Sequence, residues 1–74
     1  MNFTSDAERC RTKGWQAGTR LVGDEGHGPT IIRLTAIGKH DILAVAESHN
    51  GVPARYESER TWTLLMRDWK EVKP

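Results

Sequence analysis

Apolar residues in this chain fall in short alternating runs, separated by clusters of glycine and polar residues. That pattern predicts short strands joined by tight turns rather than long helices. The clearest strand covers residues 30–37, rich in β-branched side chains. Ile32 and Leu34 are expected inward, because the opposite choice would bury Arg33. A bulge near Gly38 would then return Ile37 to the core. Gly38-Lys39-His40-Asp41 makes a tight connection to a strand over 42–48, and the two form an antiparallel hairpin.

Other elements follow from local signals. Ser5 followed by Glu8 has capping-box spacing, Asp6 sits in the first turn, and Arg9, Arg11 and Lys13 lie toward the end. With Gly14 as a stop, this predicts a helix over 4–13. Gly18 and Gly23 frame a first strand, residues 19–22. Residues 23–29 hold three glycines, a proline and two acids, and read as a loop. Asn50-Gly51 is the strongest turn dipeptide. Pro53 beyond it argues for an edge or a loop. Trp62, Leu64 and Met66 alternate inward along a further strand, Arg67-Asp68 turns, and residues 69–72 form a last short strand.

Four to five short strands in 74 residues predict one mainly β domain. The expected architecture over 1–74 is a small SH3-like barrel of residues 19–72 carrying the helix of 4–13. An OB-like barrel is the alternative. A barrel also removes the exposed edges that a flat sheet leaves.

Composition narrows this further. A domain of this size buries only about 60% of its unfolded surface, and the single cysteine, Cys10, forms no internal disulfide. The three tryptophans are then the natural anchors of the core, with Trp62 and Trp69 expected to be buried. A homo-oligomer is the other way to gain burial. One unpaired cysteine fits a reduced, cytoplasmic setting. The first residues lack the apolar segment of a signal peptide, and no run is long enough to cross a bilayer. A net charge of +1 with both signs interspersed gives no general pull toward nucleic acid or acidic lipid.

No chemistry-bearing constellation stands out. His27, His40, His49 and Cys10 lack zinc-ligand spacing, so no metal site is expected. Asp41, Glu47 and Asp68 have ordinary surface or turn roles, and no catalytic residue or cofactor is expected. Cys10 lies among Arg9, Arg11 and Lys13, yet a buried thiol facing the sheet is the preferred reading. The glycines of 23–28 lack the Gly-Lys-Ser/Thr ending of a phosphate loop. The remaining signal is arginine beside an aromatic: Arg55, Tyr56 and Arg60, with Arg33 on the outer face of a neighbouring strand. A solvated, ion-paired face is the plainer account, because Glu57 and Glu59 interrupt the cations. Tyrosine and arginine also anchor protein interfaces.

The order of motifs is itself informative: Lys13-Gly14-Trp15, Gly18-Thr19-Arg20, Thr35-Ala36-Ile37-Gly38, Leu43-Ala44, Trp62-Thr63-Leu64 and Arg67-Asp68-Trp69. This order resembles small uncharacterised accessory proteins of tailed bacteriophages and prophages. The resemblance implies a phage origin, a host-cytoplasm setting and a host or phage protein as partner. The leading expectation is a non-enzymatic binding module that modulates or inhibits a host defence or housekeeping protein. A nucleic-acid-binding barrel is the first alternative. It requires a continuous cationic face of Arg20, Arg33, Arg55 and Arg60, and acids between them count against it. The second alternative is an oligomer that sequesters a small nucleotide in a pocket between subunits.

Overall fold

The computed structural model describes residues 4–24, 28–55, 57–64 and 68–72. It comprises one helix, α1 (Asp6–Lys13), and six strands: β1 (Arg20–Asp24), β2 (Pro29–Ile37), β3 (Ile42–His49), β4 (Val52–Pro53), β5 (Arg60–Trp62) and β6 (Lys70–Glu71). The strands form one antiparallel sheet in the order β4-β3-β2-β1-β6, with β5 also pairing β3.

The helix begins and ends where its capping chemistry says. The Glu8 N–H donates to Ser5 Oγ at 3.1 Å, satisfying one of the orphan donors of the first turn. Gly14 adopts the left-handed conformation (φ 77°). There its N–H reaches the Arg11 carbonyl while the Trp15 N–H reaches that of Cys10, the paired bonds of a Schellman stop. Thr4 and Ser5 precede the helix, which is therefore shorter than the expected 4–13. Ala7 and Cys10, three residues apart on one face, are fully buried. Arg11 donates to the carbonyls of Gly38 and Lys39 at 2.9 and 3.2 Å, and the Ala7 N–H donates to His40 O. These bonds pin α1 to the β2–β3 turn.

The inward face of the sheet carries Leu21, Ile32, Leu34, Ile42 and Ala44, all at 0–1% exposure. Ile32 and Leu34 thus point inward as expected. Each fully buried Leu or Ile contributes about 1.5–3 kcal/mol. Trp15, Leu64 and Trp69 complete the core. The β2–β3 ladder changes register twice. Leu34 opposes Ala44 and Ala36 opposes Leu43, so Thr35 has no partner in the ladder. This bulge lies earlier than the expected position near Gly38. Its effect is the expected one: Ile37 stands opposite buried Ile42 and packs against the core.

At the other end of β3, Asn50 (φ 51°) and Gly51 (φ 81°) form the two-residue turn that the dipeptide predicts. Pro53 sits on the short edge strand β4, where a missing N–H does no harm.

The architecture departs from expectation in its last third. The strand predicted from Trp62 onward is instead Arg60–Trp62, followed by non-strand Thr63 and Leu64. Met66 and Arg67 lie outside the described residues. The expected strand over 69–72 is reduced to Lys70–Glu71, while β1 runs on through Gly23 to Asp24. β5 lies on the β3 side of the sheet and β6 on the β1 side. Among the described residues no ladder joins them, so the sheet is open where a closed barrel was expected.

Candidate functional site

The arginines singled out in the sequence divide between two faces. Arg33 lies between buried Ile32 and Leu34 and so points away from the core. It stands opposite Val45 on β3, whereas Arg60 stands opposite Ala44. Neighbouring residues of one strand point to opposite faces, so Arg33 and Arg60 do not share a surface. The cause is spacing. Residues 52–54 follow the β3 edge, with the Ala54 N–H on Glu47 O. Continuous pairing would then bring residue 57 opposite Ala44, but Arg60 is found there. The chain leaves the edge in between.

That excursion contains Arg55, exposed in a bend, and Glu57, which approaches His49 Nε2 at 3.4 Å. His49 also contacts Thr30 Oγ1 through Nδ1 at 3.4 Å. Tyr56 lies outside the described residues. Arg60 stacks over the Trp62 ring, 4.8 Å from its centroid. Trp62 in turn meets Trp69 edge to face, with centroids 6.4 Å apart.

The outer face holds a second group that the sequence did not bring together. Arg20 on β1 and Arg33 on β2 are direct cross-strand partners. Glu47 reaches both from β3: Arg20 Nε donates to Oε1 at 2.6 Å, and Arg33 Nε lies 3.4 Å from Oε2. A register shift makes this possible. Ile32 opposes Ala46 and Ile31 opposes Ser48, so Glu47 is the extra residue of a bulge. Bulge positions cannot be read from alternation, so the shared carboxylate left no signal in the sequence. Beyond Arg20, residues 16–20 with Glu71 and Val72 line an open groove of about 520 Å3.

Cys10 is fully buried. Burial raises its thiol above the usual 9.0, Asp6 adding to the rise while Arg11 and Arg9 oppose it. A raised thiol pKa is the opposite of an activated nucleophile. His40 lies in the β2–β3 turn and His27 outside the described residues. Among the described residues, no three His, Cys, Asp or Glu side chains group as metal ligands, and no helix is long and apolar enough to cross a membrane.

No curated protein and no solved structure matches the chain. A family model does, across residues 4–74. The chain therefore belongs to the family described as a domain of unknown function, DUF7241.

Proposed function

We propose that this chain is a non-enzymatic binding module that docks on another protein and modulates or inhibits it. The observation that supports this reading is the placement of acids among the cations. Glu47 lies between Arg20 and Arg33 on the outer face, and Glu57 follows Arg55 on the excursion. A nucleic-acid channel needs an unbroken run of cations along the phosphate backbone. Protein interfaces instead use isolated arginine and aromatic anchors within mixed charge. Arg60 over Trp62 suits such an anchor, and the exposed Arg55 is the second cation of the proposed surface.

A meander from β1 to β5, with β6 returning to the far side of β1, supports the reading of a small SH3-like barrel, with an OB-like one as the alternative. The motif resemblance supports a phage accessory protein acting in the bacterial host cytoplasm on a defence or housekeeping protein.

The test is affinity purification of the tagged full chain from a bacterial host, with and without nuclease. A single nuclease-resistant protein, lost on Arg55→Glu with Arg60→Glu, is the expected result. Capture that disappears with nuclease, or that falls steeply between about 50 and 200 mM salt, would make nucleic acid the ligand.

A further inference from the structure

We infer that the outer face of the sheet around Arg20 and Arg33 docks an acidic segment of a partner protein, one carboxylate of which bridges the two guanidiniums. This surface lies on the face opposite Arg60; it goes beyond the surface proposed above and rests on the protein-binding reading.

Two like charges directly opposite on neighbouring strands destabilise a sheet. Here Arg20 faces Arg33 in that way, and among the described residues Glu47 is the carboxylate that meets both. Two positive charges share one negative charge. Each arginine approaches Glu47 through Nε. A guanidinium held at Nε still presents its Nη1 and Nη2 end, the fork that matches a carboxylate. Both arginine side chains are about half exposed, at 49% and 46%. Glu47 thus orients the pair and leaves it cationic.

The surroundings fit the same occupant. Val22 and Ile31 are cross-strand partners on this face, half-buried, with Val45 opposite Arg33. Lys70 stands opposite Val22 on β6 and adds a third cation. Asp24 lies at the far end of β1, across from Pro29. Among the described residues, three cations against two carboxylates leave an apolar centre within a net positive rim. Its complement is a segment that alternates acidic and apolar side chains. A second copy of this chain would bring the same positive rim to the same place. A single-stranded nucleic acid would meet Glu47 at the centre and find no aromatic ring among the described outward residues.

The experiment is a nuclear magnetic resonance titration of the full chain, with three probes. These are a synthetic Glu-Leu-Glu-Leu-Glu peptide with blocked ends, its Gln-for-Glu counterpart and a thymidine oligonucleotide. The acidic peptide is expected to shift the Nε–H signals of Arg20 and Arg33 and the amides of Val22, Ile31 and Val45. The Gln peptide should bind about tenfold or more weakly, the loss expected when charged partners are neutralised. Arg20→Lys with Arg33→Lys keeps both charges and the fold, and should weaken the acidic peptide to a similar degree. Equal binding of the two peptides, an undiminished Lys variant, or no shift at millimolar peptide would each overturn the inference. Shifts confined to residues 55–60 would overturn it while keeping the protein-binding reading. Oligonucleotide binding on the outer face would overturn both.

Discussion

Trp69 lies directly over Gly23, so close that a Cβ on residue 23 would sit 2.6 Å from Cδ2 and Cε3 of the indole. Glycine is required there by this approach, in the middle of a strand that otherwise continues to Asp24. The ring is rigid and only 5% exposed, so it cannot swing away cheaply. Gly23→Ala should cost about 1–3 kcal/mol, the range for overpacking a core. At roughly 4–8 °C per kcal/mol for so small a domain, the loss is readily seen in thermal unfolding. Adding Trp69→Phe should recover part of the loss, because the two residues share one contact. A Gly23→Ala protein as stable as wild type would contradict this packing.

The two C-terminal tryptophans should not be equivalent. Both were expected as core anchors. Trp69 is buried, whereas Trp62 is half-buried at the edge, packed against the core beneath Arg60. Trp69→Ala should cost about 3–5 kcal/mol and threaten folding outright, given a total stability near about 5 kcal/mol for small domains. Trp62→Ala should cost distinctly less, the edge-to-face pair itself contributing about 0.5–1.5 kcal/mol. Urea unfolding of both variants is the measurement. The reverse order would mean that the edge position, not the core position, holds the C-terminal segment.

Cys10 makes a pH-dependent prediction with a defined sign. Its thiol pKa is raised in the folded chain, above the usual 9.0, chiefly by burial. Below that value the thiol is neutral in both states and contributes no pH dependence. Above it the unfolded chain releases the proton first, so unfolding gains and stability falls. The fall from pH 8 to 10 should be steeper in wild type than in Cys10→Ala, since the alanine variant retains every other titrating group. The same burial predicts slow reaction with a thiol reagent at neutral pH until denaturant is added. Fast labelling of the native chain, with parallel pH profiles, would place the thiol at the surface.

Local signals in the sequence were legible because local chemistry sets them. Ser5, Glu8 and Gly14 delimit α1 through bonds made within a few residues, and Asn50-Gly51 forms its turn through its own backbone preferences. Alternation left the inward face of β2 open, since both faces carry apolar residues, and Arg33 alone favoured the face that is found inward. What alternation cannot supply is the count of residues across a ladder. The bulge at Glu47 joins Arg20 to Arg33, and the excursion before Arg60 sends that residue to the opposite face from Arg33. Either register shift, invisible in composition, is enough to rearrange the candidate site.

A hydrogen bond ties the first helical turn to the segment after β5. Asp6, in the first turn of α1, accepts the Leu64 N–H through Oδ1 at 2.9 Å, across 58 residues. Leu64 is fully buried just after β5. Its amide would otherwise face the core without a partner, at a cost of about 1–3 kcal/mol. The same carboxylate also suits the helix N-terminus, an effect of about 0.3–1 kcal/mol. The two roles separate by substitution. Asp6→Asn keeps a carbonyl acceptor and loses the charge, so it should cost little. Asp6→Ala loses both and should cost about 1–3 kcal/mol, with faster hydrogen exchange at the Leu64 amide. Equal stability of the two variants, with Leu64 exchange unchanged, would reduce Asp6 to a helix-terminus charge.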